Sequence, residues 1–225
     1  MILKKIIPSI LFLVSCLTGC NFENTIVQWE KGKVPYFFTG EFSDSDKEIV
    51  YQGMETWKSI ASITFEEVLP SSSAYEIIRV KKTNSWASSI GENNIFNHMY
   101  FGDGSEKLGH VLHELGHCLG LLHEHQRPDR DKYIVIMWNN ILPEYDYNFD
   151  IRDNPLLNEQ DFTYDCDSIM QYNSNGFSID GNETIIPLKG GPCDSNVTLG
   201  QRNHLSDIDK LKVQSIYGTP ESTRK

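Results

Sequence analysis

Basic residues, cysteines and internal repeats are scarce in this 225-residue sequence. Lysine and arginine number 20 against 31 acidic residues, so the formal net charge is −11 and binding to nucleic-acid phosphates would begin with repulsion. No nucleic acid is therefore expected as a partner. Five cysteines are too few for a disulfide-stapled miniprotein. There is no low-complexity tract or heptad run, and a 39% hydrophobic content is enough for a sizeable core. We expect a globular protein of one large domain or two small ones.

The N-terminus has the pattern of an export signal. Lys4 and Lys5 precede an apolar run that is too short to span a bilayer, and the letters L-T-G-C end that run at Cys20. This ending resembles the lipobox of bacterial lipoproteins, in which the signal is cut before the cysteine that carries the lipid. We therefore predict removal of residues 1–19 and acylation of Cys20. The alternative is an ordinary signal peptide with a chance cysteine.

Apolar periodicity divides the rest of the chain into two parts. Strands are predicted near residues 34–38, 63–68, 76–80, 86–90 and 95–101, with a helix opened by a capping box at Ser45. A second helix is predicted from about 105 to 119, and a last one begins at the Ser206-x-x-Asp209 signal. Beyond residue 120 the pattern is short and rich in Asn, Asp, Pro and Gly. We predict two lobes, a regular upper one and an irregular lower one.

The second helix carries the pattern H-E-x-x-H-x-x-G-x-x-H. His113 and His117 are four residues apart, so on a helix they share one face and can bind one ion. Glu114 lies beside them and can take a proton from an attacking water. Gly120 can adopt a left-handed backbone that ends the helix, so that His123 returns as a third ligand. Three His ligands leave an open position, which is typical of catalytic zinc sites.

The alternative interpretation, helix-surface histidines, is weak because four leucines follow an apolar stripe on the opposite side of the helix. That stripe is Leu108, Leu112, Leu115 and Leu119. His110 is expected to be a neighbour of the site or solvated and not a ligand. His98, His125 and His204 lack ligand spacing and are interpreted as structural or exposed.

The extended motif matches the metzincin signature, and further segments resemble the astacin family. His123 begins the string H-E-x-x-R-x-D-R-D, and residues 168–172 read S-I-M-Q-Y, similar to the family's Met-turn with Gln171 in place of His. Residues 29–36 resemble the family's entry segment W-x-x-G-x-[IV]-P-Y. G-Q-R at 200–202 and L-S-x-x-D at 205–209 are similar to its C-terminal motif.

This resemblance implies a fold and a set of roles. The fold is α+β, a two-lobed metzincin zinc-protease domain: a twisted, mostly parallel sheet with two long helices above, an irregular lobe with a C-terminal helix below, and the active-site cleft between. One Zn²⁺ would be bound by the three His of the motif and by Tyr172. Glu114 would be the general base and acid, and Met170 the apolar floor under the metal. Tyr172 would leave the metal to stabilise the oxyanion. Ordinary core packing is the alternative for Met170 and Tyr172.

The chain departs from the family in two respects. Only eight residues separate Cys20 from Trp29, which leaves no room for a pro-segment of ordinary length. An acylated Cys20 could not place an amine beside Glu124, as the family's N-terminus does, so Glu124 pairs with another group or with water. The family's usual cysteine pairs are also absent. Cys118 is expected to be a buried free thiol, and whether Cys166 and Cys193 form a disulfide stays open.

The sequence thus predicts a signal (residues 1–19), an anchored lead-in (20–28), an astacin-like peptidase domain (29–218) and a tail (219–225). The expected activity is zinc-dependent endoproteolysis outside the cytoplasm, at the bacterial envelope or after secretion. Expected partners are protein or peptide substrates and the bilayer, and the chain is expected to be monomeric. The rival hypothesis is a zinc-stabilised binding lipoprotein without catalytic activity. The presence of Glu114 argues against it, because catalysis needs this residue and metal binding does not.

Overall fold

The computed structural model describes residues 26–40, 42–69, 77–92, 97–103, 107–194 and 197–220. The predicted signal, the lipobox at Cys20 and the end of the tail lie outside these residues. The helices and longer strands within them are β1 (Lys33–Thr39), α1 (Asp44–Ile60), β2 (Thr64–Glu67), β3 (Ile78–Lys82), β4 (Ala87–Ser88), β5 (Asn97–Phe101), α2 (Lys107–Cys118), β6 (Ile134–Ile136), β7 (Ile185–Pro187) and α3 (Asp207–Tyr217).

The upper half is built on a five-stranded sheet in the order β2-β1-β3-β5-β4. β1 pairs in parallel with β2 and β3, and β3 pairs in parallel with β5. β4 runs antiparallel to β5 and is the edge strand on that side. All five predicted strands are present, and the sheet is mostly parallel as predicted. β4 is only two residues long, shorter than the predicted segment 86–90.

Helices α1 and α2 pack closely against each other. A Cβ placed on Gly53 of α1 would lie 2.5 Å from Val111 Cγ1 of α2, so only glycine allows this approach. The indole Nε1 of Trp57 donates a hydrogen bond to the Leu112 carbonyl, 3.1 Å away. The predicted helix start was wrong by two residues: Ser43, not Ser45, is the N-cap, and its Oγ accepts from the Asp46 backbone N–H.

The apolar stripe on α2 is partly as predicted. Leu112, Leu115 and Leu119 are buried, but Leu108 is 37% exposed. α1 crosses α2 at Val111, which is fully buried, so the buried surface of the first turn is centred on Val111 and not on Leu108.

The lower half has little regular structure and a core of its own. β6 and β7 form a two-stranded antiparallel sheet, and short 3-10 turns connect most of the remaining chain. A disulfide joins Cys166 to Cys193, which resolves the pairing that the sequence left open. α3 begins at Ser206 with the predicted capping box to Asp209 and packs back on the upper half, where the Tyr217 hydroxyl donates to the Leu119 carbonyl.

Candidate metal centre and active site

α2 delivers two imidazoles and one carboxylate to the cleft between the halves. His113, Glu114 and His117 are each about 5% exposed or less. Because a carbonyl oxygen only accepts, the Nδ1 atom of each His carries the proton: His113 Nδ1 donates to Ile169 O (2.7 Å) and His117 Nδ1 to Leu121 O (2.8 Å). Both Nε2 atoms therefore keep a lone pair for a metal.

The third imidazole reaches the site through a turn at Gly120. Its φ of +99° is left-handed, a backbone conformation that favours glycine over residues with a side chain. The backbone N–H of Leu121 closes the turn on the Gly116 carbonyl, 3.0 Å away. The chain then returns, and His123 enters the site from below α2.

The ligating atoms of His113, His117 and His123 all lie within 4.8 Å of one another. His117 Nε2 is 3.0 Å from His123 Nε2, near the roughly 3.3 Å expected between two nitrogen ligands on a tetrahedral zinc. Burial lowers the pKa of His117 to about 4 and holds those of His113 and His123 well below the usual range. All three are neutral at pH 7, as metal ligands must be, so the donor set fits zinc.

Glu114 is a buried acid, 4% exposed, next to the first His of the motif. Burial raises its pKa to about 8, although the charge of Arg202 acts in the opposite direction. Its Oε2 makes no hydrogen bond to any residue that the structure describes. An acceptor left unpaired beside three imidazoles can bind and deprotonate a water, and a pKa near neutrality suits a group that takes up and returns a proton.

The segment 168–172 forms the other side of the site. Met170 is 1% exposed, and its Sδ would lie 2.8 Å from a Cβ on Gly116, so it packs directly against α2 one residue before His117. The Met170 carbonyl accepts a hydrogen bond from the Glu124 backbone N–H (3.2 Å), which ties this segment to the residue after His123.

Tyr172 packs its ring against two imidazoles. The ring centroid is 4.3 Å from that of His123 and 4.1 Å from that of His125. Burial, followed by the charge of Glu114, raises the pKa of Tyr172 to about 12. The phenol is therefore protonated and able to donate a hydrogen bond into the cleft that it lines.

The cleft has a volume of about 530 Å³ and is lined by both halves. Its upper wall includes the edge strand β4 and a stack of His110 on Trp86, with ring centroids 5.0 Å apart. Among the described residues, two arginines and no lysine line the cleft, namely Arg152 and Arg202. His110 is thus a wall residue and not one of the three clustered His, as expected.

Two site residues were not anticipated from the sequence. His125 is structural, one of the two alternatives expected, but its contact with the site was not foreseen: it is fully buried against Tyr172 and hydrogen-bonds the Asn148 carbonyl through Nε2. Arg202, noted only as part of G-Q-R, donates to the Ile169 carbonyl (2.9 Å), the same oxygen that accepts from His113. Neither has a spacing signal, because both reach the site by tertiary folding.

Glu124 has partners that the sequence did not identify. Its carboxylate, 1% exposed, accepts from Lys212 Nζ (2.6 Å), Arg127 Nη1 (2.9 Å) and the Asp165 backbone N–H (2.9 Å). Of the two partners expected for Glu124, another group or water, the structure shows other groups. Cys118 is the predicted buried free thiol.

Comparisons with known proteins match this arrangement to one family. The sequence model of the peptidase family described as Astacin matches residues 21–218. The chain is similar to the zinc metalloproteinase nas-15 of Caenorhabditis elegans, with 31% identity over 90% of this chain and 34% of that protein. It is 37% identical to the dorsal-ventral patterning protein tolloid of Drosophila melanogaster over 84% of this chain and 18% of that protein. The chain thus spans about a third or less of these relatives.

A solved structure matches over nearly its whole length. High choriolytic enzyme 1, a hatching-enzyme zinc protease from medaka, superposes with a TM-score of 0.74 at 29% identity, covering 91% of this chain and 99% of that one. The chain belongs to the astacin family of zinc metalloendopeptidases. The predicted α+β metzincin fold is confirmed.

Proposed function

We propose that this chain is a zinc-dependent endopeptidase that hydrolyses internal peptide bonds of proteins. The observation that carries the proposal is the convergence of three neutral imidazoles and Glu114, whose Oε2 bonds no residue that the structure describes, in one open cleft. His113, His117 and His123 would hold the zinc. The bound ion supplies Lewis-acid activation of water and of the scissile carbonyl.

The chain's own groups move the protons. Glu114 Oε2, which bonds no described residue, takes a proton from the attacking water and passes it to the leaving amine. Tyr172 keeps its hydroxyl proton at pH 7 and donates a hydrogen bond where negative charge develops on the substrate oxygen. At rest Tyr172 would be a further zinc ligand, and it would leave the metal to donate this hydrogen bond.

Substrate binding is proposed to use the edge strand. β4 lines the cleft, and among the strands that the structure describes it pairs with β5 alone. An extended peptide can add to such an edge through main-chain hydrogen bonds, which tolerate different side chains. A peptide that crosses the cleft in this way would carry its scissile bond past Glu114.

The rival function is a zinc-stabilised binding protein without catalysis. Such a protein would need the three His but not a buried carboxylate with an unused acceptor. The decisive experiment is a peptide-library digest by a fragment of residues 21–225, with and without a metal chelator. We expect internal cleavage that the chelator abolishes and added zinc restores. Zinc binding without cleavage of any peptide would favour the rival.

We also propose that the protein acts outside the cytoplasm, anchored by an acylated Cys20, and that it works as a monomer. The support for anchoring is the L-T-G-C string after a short apolar run. Among the residues that the structure describes, no helix has the length and apolarity needed to cross a bilayer. Mass spectrometry of membrane-extracted protein should find acyl chains on an N-terminal Cys20, and an unmodified N-terminus elsewhere would contradict the anchor.

A further inference from the structure

A buried carboxylate at the start of α3 reaches across to the segment beside the metal centre. Asp209 is 1% exposed. Its Oδ1 accepts from the Ser168 hydroxyl (2.6 Å), and its Oδ2 accepts from the backbone N–H groups of Ile169 (2.9 Å) and Ser206 (3.0 Å). The bond to Ser206 belongs to the capping box of α3, whereas the other two join residues 40 or more positions apart.

Ile169 connects this carboxylate to a metal-site histidine. The backbone N–H of Ile169 donates to Asp209, and the backbone carbonyl of Ile169 accepts the Nδ1 proton of His113 at 2.7 Å. Ser168 adds a second restraint, because its hydroxyl oxygen also accepts from the Met170 backbone N–H at 3.0 Å. Asp209 therefore holds the turn of residues 168–170 through two hydrogen bonds, from Ser168 and Ile169, which we call the clamp. The clamp fixes the Ile169 carbonyl and, through it, the His113 ring.

The capping of α3 does not explain this arrangement. A neutral side chain with one acceptor oxygen would satisfy the Ser206 N–H as well, without burying a charge, and burial of a charge is unfavourable unless several donors compensate it. The two additional donors, from Ser168 and Ile169, both lie in the turn that faces His113.

We propose that Asp209 is a positioning residue for the metal site. By clamping residues 168–170 it fixes the Ile169 carbonyl, which keeps His113 in the tautomer and ring orientation that point Nε2 toward the metal. The inference rests on the zinc site proposed above. A partner that hydrogen-bonds a metal-bound His typically contributes about 10–100-fold to metal affinity, and Asp209 acts on such a partner, the Ile169 carbonyl.

The test is the zinc dissociation constant of the full-length protein, measured by competition with a chromophoric chelator, together with the visible spectrum of the cobalt-substituted protein. Asp209→Asn should raise the dissociation constant roughly 10–100-fold and shift the cobalt bands. Asp207→Asn is the matched control: it removes the same charge from the same helical turn, but its side chain is 93% exposed and pairs with Lys210. It should leave both readouts unchanged.

Val213→Ala serves as a control for a general loss of stability. It removes a fully buried side chain of α3 and leaves the hydrogen bonds of Asp209 intact. It should lower the melting temperature and keep the zinc constant. The proposal is overturned if Asp209→Asn binds zinc as tightly as wild type, or if Val213→Ala weakens zinc equally.

If Asp209→Asn does not fold, Ser168→Ala removes one arm of the clamp, and an unchanged zinc constant in that variant overturns the proposal. These readouts need no substrate. Wild-type protein that binds zinc but cleaves nothing would contradict the proposed function and leave the positioning role standing.

Discussion

Replacing Lys212 by methionine should destabilise the fold strongly. Lys212 is 4% exposed, and its ammonium lies 2.6 Å from Glu124 Oε2 and 2.9 Å from Glu159 Oε2. Burial alone would lower the pKa of Lys212, but attraction to the two carboxylates outweighs it and holds the pKa above the ordinary value. The ammonium is therefore charged at pH 7, and methionine keeps most of its volume while removing that charge.

The size of the effect follows from what remains after the substitution. Glu124 keeps its ion pair with Arg127. Glu159 loses its nearest cation, and the next one, Arg127 Nη1, lies 3.7 Å from Glu159 Oε2. Breaking a buried ion pair from one side typically costs about 3–5 kcal/mol. For a chain of this size, 1 kcal/mol corresponds to about 2–4 °C, so the melting temperature should fall by about 6–20 °C.

The assay is thermal and urea unfolding at pH 7, followed by circular dichroism. Lys210→Met is the matched control: Lys210 lies on the same helix and pairs with Asp207 at 2.9 Å, but both side chains are exposed to solvent. It should have little effect, because surface pairs are screened. If Lys212→Met were no less stable than Lys210→Met, the buried ion pairs would not hold α3 to the segment after His123.

Three further predictions concern the site. Tyr172→Phe should lower kcat by about 10²–10³-fold with zinc content unchanged, since the hydroxyl acts where negative charge develops on the substrate. Unchanged turnover or lost zinc would mean that Tyr172 only packs in the core. With zinc removed by a chelator, the free energy of unfolding should fall by up to about 1.4 kcal/mol per pH unit between pH 7 and 8. In that window the folded state keeps a proton on Glu114 that the unfolded state has released, so a Glu114→Gln variant that kept the slope would refute this. A fragment of residues 21–225 should be active as made, because Lys212, Arg127 and Asp165 already occupy the Glu124 carboxylate; activity that appears only after trypsin trims residues near 21–30 would show the opposite.

The parts of the site that the sequence predicted are those with local spacing. His113 and His117 are one helical turn apart, and Gly120 has the left-handed φ that the turn to His123 requires. Helical periodicity and ligand chemistry are therefore enough to anticipate the triad. The sheet could also be predicted, because several of its strands lie in short runs rich in aromatic or β-branched residues and bounded by turns, such as V-P-Y-F-F at 34–38.

The parts that could not be predicted depend on contacts between distant residues. Lys212 reaches Glu124 across 88 positions, and nothing in either local pattern signals the pair. The start of α1 at Ser43 was misjudged because two serines, each three residues before an acidic residue, offer competing caps. The burial of Val111 in place of Leu108 reflects where α1 crosses α2, which periodicity on one helix cannot give.

The most direct test of the catalytic proposal is the activity of Glu114→Ala set against its zinc content. The three His remain in this variant, so elemental analysis should find the same zinc per chain as in wild type. Hydrolysis of a quenched peptide should fall by about 10²–10⁴-fold or more, because the proton acceptor is gone. Turnover close to wild type with zinc bound would contradict the assignment of Glu114 as the general base.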